Sequence, residues 1–305
     1  METTPAVPEK KIGKFRASYL LATESFELFR KDKEIVWYVV LNALSVLAII
    51  TVFIAAGVAL MMSEIVVMPA EGEPVSLALQ IAGYAVLFVM YLACAYVTTY
   101  FGVALTSVVA ARIEGEDKGF KDGLREAGAR AGNILGWSLL SSTVGIVLQI
   151  IADKASWAGR LISWLGGVAW NVATFFIVPV LARENLGVGN SVRRSGEIFV
   201  KTWGETIVMN FSLGLFFLGA HVSLLVAVFA VGYMLLQSGL MVLLGILVVL
   251  YLIAFIVIAV VQSVLEAVFK VVLYEYAMRG TVPESFTPQL IMGALTKKVV
   301  ATPVS

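Results

Sequence analysis

The chain has 305 residues, 60% of them hydrophobic and 14% charged, with a mean hydropathy of +0.92 and a formal net charge of +1. Soluble domains run at about 45–50% apolar and about 25% charged residues, so this composition excludes a soluble globular protein and makes the lipid bilayer the first partner, with no nucleic acid expected. The single cysteine, Cys94, lies inside an apolar run, which excludes an internal disulfide and a cysteine-based zinc site.

Crossing a hydrocarbon core about 30 Å thick takes about 20 apolar residues at about 1.5 Å each. Residues 1–12 read as a disordered tail. The segment that follows places Phe15, Tyr19, Ala22, Phe26 and Phe29 on one helical face. Ile35 to Ser63 carries no charge and far exceeds the roughly 7–15 apolar residues of a cleavable signal, so it is a retained span. Glu64, Glu71 and Glu73 with Pro69 and Pro74 then form a short acidic loop without Lys or Arg. Val75 to Ala111 would reach about 55 Å as one helix, so it must tilt or project beyond the lipid.

A second one-sided segment follows, with Phe120, Leu124, Ala127, Ala131 and Ile134 at the same offsets as the first. Gly128, Gly132 and Gly136 form a four-residue ladder into the third span, where small residues allow close helix approach within the bundle or between copies. Span four, Leu161 to Ala182, contains Pro179, which lacks a backbone donor and is expected to kink it. The third one-sided segment carries Val188, Val192, Ser195, Phe199 and Thr202, its apolar face interrupted by Ser195 and Thr202. Thr206 to Leu265 is uncharged and must hold two spans, with the turn marked by Gly232, Gln237, Ser238 and Gly239. Glu266 to Lys270 and Glu275 to Arg279 are i,i+4 pairs with the acid first, which extends the last helix beyond the lipid until Gly280 and Pro283.

The expected architecture is therefore all-α: a polytopic transmembrane helix bundle with six spans at about 35–62, 75–111, 131–152, 161–182, 206–232 and 240–270. These form a single membrane domain over 13–286, and 287–305 is a C-terminal cytoplasmic tail. Of the 22 Lys and Arg residues, only Lys154 and Arg160 fall on one side of this arrangement. The positive-inside rule then puts both termini in the cytoplasm.

The three one-sided segments each precede an odd-numbered span. Ser25, Glu27, Leu28, Phe29 and Lys31 align with Ser195, Glu197, Ile198, Phe199 and Lys201, and Ala111-Arg112, Ala182-Arg183 and Met278-Arg279 close the even-numbered spans. This reads as an internal repeat of three units, each an amphipathic cytoplasmic helix plus a transmembrane hairpin, the helices lying on the membrane surface or under the bundle. The exit Pro179, Val180, Leu181, Ala182, Arg183, Glu184, followed by Ser195 and a hydrophobic-basic helix, resembles prokaryotic six-span membrane proteins of unknown function similar to the membrane domain of glycerophosphodiester phosphodiesterases. The resemblance implies a bacterial or archaeal inner membrane and a fold. The soluble catalytic domain of those phosphodiesterases has no counterpart in the sequence.

Polar groups within the spans are few. His221, the only histidine, has no sequence neighbour suited to a metal site or triad and is expected to make a hydrogen bond inside the bundle. Asn42, Asn171 and Asn210, with Gln149 and Gln262, either bridge helices or line a hydrated path, the first reading being favoured. No span holds a charge near its centre, which argues against ion-coupled transport, and no phosphate loop, dinucleotide fingerprint or His-Glu-x-x-His is found. No catalytic, cofactor or metal residues are therefore assigned. Cytoplasmic Lys and Arg suit anionic lipid headgroups, although topology alone already explains them.

The sequence points to a non-enzymatic, lipid-contacting scaffold or assembly partner, alone as a homo-oligomer or in a membrane complex. The alternative is a transporter or channel for a neutral or amphipathic substrate, with a path near Asn42, Asn171, Asn210 and His221.

Overall fold

A computed structural model describes residues 34–63, 76–154, 157–203 and 211–279. The described residues are helical throughout apart from short turns. The helices are α1 (Glu34–Met62), α2 (Leu77–Ile113), α3 (Phe120–Ala129), α4 (Ala131–Lys154), α5 (Trp157–Ala173), α6 (Ile177–Arg183), α7 (Val188–Trp203), α8 (Phe211–Gln237) and α9 (Met241–Arg279). Six helical stretches among them are long and apolar enough to cross a membrane, with α5 and α6 together making the fourth. The first one-sided segment (Phe15 to Phe29), the acidic loop after Ser63, Asn210, Gly280, Pro283 and both tails lie outside the described residues.

The chain divides into two units, each described by itself. The first covers Lys33–Thr202. Its centre is α2, which packs against α1, α3, α4 and α6. Sequence dictates this role: from Val103 to Ala111 every residue is apolar, Thr or Ser, and all nine are buried. A helix that is apolar all round belongs inside a bundle. The other half of α2 is different, because Leu77, Ile81, Val86, Val89 and Tyr91 are exposed, as suits a helix facing lipid. The excess length of this span is thus used to run one end into a protein collar.

At that end α1 is pinned to α3. Tyr38 is fully buried, its hydroxyl donates to the Phe120 carbonyl at 2.7 Å, and its ring stacks on Phe120 at 4.6 Å. The N-terminus of α3 leaves backbone donors without helical partners, and two carboxylates accept them: Asp122 from Gly119 N–H at 3.1 Å and Glu34, at the start of α1, from Phe120 N–H at 2.9 Å. Gly123 faces the same joint with no room to spare, since a Cβ there would sit 2.3 Å from the Tyr38 hydroxyl and 2.7 Å from the Ala104 carbonyl.

The second one-sided segment is not one helix. Helix α3 ends at Ala129, α4 begins at Ala131, and Arg130 lies between them. Within it Ala127 and Ile134 are buried, and Phe120, Leu124 and Ala131 are half-buried. The buried stripe of α4 continues as Ile134, Ser138, Ser142 and Ile146. Of the glycine ladder only Gly136 makes a close approach, with Val188 of α7 2.7 Å from the place its Cβ would occupy. Gly132 has open space beside it. Small-residue packing in α4 therefore rests on Gly136, with Ser138 and Ser142 also buried. Helices α4 and α5 form a hairpin tied by Trp137 stacked on Trp170 at 5.6 Å and by the Ser163 hydroxyl donating to the Leu148 carbonyl at 2.8 Å.

Among the described residues the second unit holds α8 and α9. Phe217 and Leu265 are buried together, with Ile258, Val261 and Phe269 packed around them. The turn falls at the residues after Gln237, where Gly239 adopts φ +69°, a left-handed conformation that favours glycine. Gly232 does not belong to the turn; it lies inside α8, with Leu244 and Leu247 of α9 alongside it. Helix α9 runs unbroken for 39 residues to Arg279, as the two i,i+4 pairs imply. Glu275 is ion-paired with Arg279 at 3.1 Å, and Glu266 accepts a hydrogen bond from Gln262 at 2.8 Å.

Candidate functional site

The polar groups of the first unit gather at the buried end of α2. The helix closes at Gly115, whose φ of +81° lets Glu116 N–H reach back to the Ala111 carbonyl at 2.9 Å. The segment beyond carries alternating charges that pair locally and across elements. Arg112 pairs with Asp117, and Glu114 pairs with Arg183 at the end of α6. Lys118 reaches Glu126 of α3 at 2.7 Å and Glu116 at 3.7 Å. Glu184 receives two hydrogen bonds from the Arg194 side chain of α7, at 3.0 and 3.2 Å. Burial alone would raise the Glu126 carboxyl, but the hydrogen bond and charge of Lys118, with help from Ser107 and Arg130, hold it below its ordinary value. The same bond from Glu126 raises the Lys118 ammonium against its own desolvation.

Inside this charged collar the fourth span is broken. A proline ring in a continuous helix collides with the carbonyl four residues earlier, which for Pro179 is that of Phe175. The chain unwinds there instead. Phe175 N–H takes the Val172 carbonyl at 3.3 Å and Ile177 N–H takes the Thr174 carbonyl at 3.0 Å, both three residues back. Pro179 then lies in the first turn of α6, where a missing N–H costs little. The expected kink is thus a break with α5 and α6 on either side.

The break leaves Phe176 N–H outside the helical ladder, and a buried donor without a partner costs about 1–3 kcal/mol. It is taken by Ser195 of α7, whose hydroxyl oxygen accepts it at 3.0 Å. Phe176 and Ser195 are both fully buried. Gly196 lies against the Ala173 carbonyl, and Phe199 packs edge-on against Phe175 at 5.6 Å. Ser195, which interrupts the apolar face of its helix in sequence, is therefore the residue that face is built around. The buried side of α7 consists of Ser191, Ser195, Ile198 and Phe199, with Val188 and Val192 half-buried; the side chain of Thr202 lies outside the description.

The remaining candidates are distributed as follows. Asn42 is half-buried on the face of α1 that carries Ile35 and Tyr38, and its side-chain oxygen is enclosed without a hydrogen-bond donor. Asn171 is exposed on α5. The Nδ1 of His221 lies 2.8 Å from the Phe217 carbonyl of its own helix, so Nδ1 carries the proton and donates, while the ring meets Phe255 edge-on at 4.7 Å. Gln149 is spent on Asp153, one turn away, at 2.9 Å. Among the described residues no three His, Cys, Asp or Glu side chains gather where they could hold a metal ion.

Sequence reasoning missed Tyr38, Gly123, Glu34 and the role of Ser195. Only Ser195 left a signal, as a small polar residue on an otherwise apolar stripe close in sequence to an intramembrane proline. Residues 81–283 match a family described as a family of unknown function, DUF6159. No curated protein and no solved structure matches the chain.

Proposed function

The chain belongs to the DUF6159 family of unknown function, and from that premise we propose that this membrane protein acts as a non-enzymatic, lipid-contacting scaffold or assembly partner. The reading sets it in a prokaryotic inner membrane with both termini in the cytoplasm and its charged collar on that face. The three-unit repeat, and the likeness in style to the membrane domain of glycerophosphodiester phosphodiesterases, belong to the same reading. One observation supports it: of the candidate path residues that the structure describes, all but Asn42 are spent within their own helices or exposed. Gln149, Gln262 and His221 bond within their own helices, and Asn171 is exposed. A solute path needs such groups to converge and remain available. Arg125 and Arg193 are exposed on α3 and α7, each paired with a carboxylate of its own helix, Asp122 at 2.9 Å and Glu197 at 2.7 Å, so the outer face of the collar carries charges of both signs.

A second reading, transport of a neutral or amphipathic substrate, draws support from two features. Broken helices recur where transporters bind their substrates, and α5 and α6 are separated by such a break. The enclosed, donorless oxygen of Asn42 also suits a polar visitor. Reconstitution separates the readings. Liposomes holding the purified protein should exchange glycerol, sugars and a neutral amphipathic dye no faster than empty liposomes. Flux that requires the protein and disappears in Asn42→Ala would replace the scaffold reading with the transport one.

A further inference from the structure

We propose that α7 is a detachable strap that holds the broken fourth span shut, with Ser195 as its catch. The inference goes beyond the scaffold reading and stands on the geometry of three adjoining elements. A span that breaks its ladder needs its freed groups satisfied from outside, and here the satisfying group comes from a different helix: Phe176 N–H donates to the Ser195 hydroxyl oxygen at 3.0 Å, both residues fully buried. The rest of the seat is apolar and includes Val188, which lies close to Gly136 of α4, and the buried Ile198. Gly196 abuts Ala173, Phe199 meets Phe175 and Phe176, and Arg194 pairs with Glu184 in the loop that joins α6 to α7.

The two sides of the joint differ in how firmly they are held. Helix α6 is anchored, with Ile177, Pro179, Val180, Leu181 and Ala182 buried and Val178 packed on Gly102 of α2. Helix α7 is one-sided, with Arg193, Glu197 and Val200 exposed. A helix of this form can leave its seat without exposing a second apolar face. Detached, its 16 residues are close to the length at which an isolated helix is marginal in water. Undocking therefore opens the backbone of α7 and uncovers Phe176 N–H together, while α6 and α2 stay in place. That is a two-state element on one span, with the Phe176–Ser195 hydrogen bond as its buried polar contact.

Hydrogen exchange on the full-length protein in lipid nanodiscs tests this. Ser195→Ala removes the acceptor and should raise the exchange of the Phe176 amide and of the α7 amides from Val192 to Phe199 by about tenfold or more, the scale of losing one buried hydrogen bond. Exchange across Val103 to Ala111 of α2 should stay at its original rate. Ser191→Ala is the matched control: Ser191 is equally buried on α7 but bonds only the Leu186 and Gly187 carbonyls beside it, so Phe176 should keep its protection. Unchanged exchange in Ser195→Ala overturns the strap. So does an equal rise in Ser191→Ala, or a rise in Ser195→Ala that spreads through α2, since either would mean general loosening rather than release of a catch.

Discussion

Gly123→Ala is expected to lower the folding stability of the protein by about 3 kcal/mol, at the upper end of the usual cost of overpacking a core. The added carbon would lie 2.3 Å from the Tyr38 hydroxyl, 2.7 Å from the Ala104 carbonyl and 2.9 Å from a methyl of Val108. The hydroxyl and the methyl belong to side chains, but Tyr38 has no space to retreat, being fully buried and stacked on Phe120. The Ala104 carbonyl belongs to the enclosed half of α2 and cannot move without shifting that helix. Reversible unfolding in detergent micelles measures the loss. A change below about 0.5 kcal/mol, the range of an ordinary surface substitution, would mean that α3 does not meet α1 and α2 as closely as the structure has it.

Tyr38→Ala should cost about 3–5 kcal/mol, the range for removing a large buried aromatic side chain. It empties the joint, deletes the stack on Phe120 and takes away the donor to the Phe120 carbonyl at 2.7 Å. Tyr38→Phe keeps the ring and should cost only about 0.5–1.5 kcal/mol, the net worth of a hydrogen bond. The two positions must also be coupled. Removing the hydroxyl relieves the shortest of the three contacts that oppose a Cβ at 123, so Tyr38→Phe combined with Gly123→Ala should be less damaging than the sum of the single changes by about 1 kcal/mol. Contacting residues show interaction energies of this size. Simple additivity would place the two residues apart.

What the sequence discloses and what it hides follow from the range of the forces involved. Span number rests on the length of uncharged runs, a local quantity, and six such helices are found. The extension of α9 to Arg279 was legible because i,i+4 pairs are local too. Gly239 shows at the hairpin turn because only a few residues tolerate its φ of +69°. The joint between α1 and α3 was invisible for the opposite reason: Tyr38 and its acceptor are 82 residues apart, and nothing in the neighbourhood of either encodes the other.

Intermediate cases show partial signals. Pro179 announces a disturbance in span four, yet a kink and a break differ only in where Phe176 N–H finds a partner, and that partner lies 19 residues away on α7. The glycine ladder was legible as small-residue packing, but only Gly136 of its three members makes a close approach; Gly132 falls on the open side of α4, while Ser138 and Ser142 beside the ladder are buried. Among the candidate path residues, Asn171 was a polar residue in an apolar run, and periodicity alone does not say that it turns outward. Nor does a lone histidine reveal that its proton goes to a carbonyl one turn back in the same helix.

The scaffold reading depends on the charged collar facing the cytoplasm, and cysteine labelling in sealed cells tests that placement directly. In a Cys94→Ala background, Glu71→Cys in the acidic loop should react with a membrane-impermeant maleimide in intact cells. Lys121→Cys, exposed on α3 beside the collar, should react only after the membrane is permeabilised. Labelling of Lys121→Cys in intact cells, with Glu71→Cys protected until lysis, would reverse the topology and contradict the account.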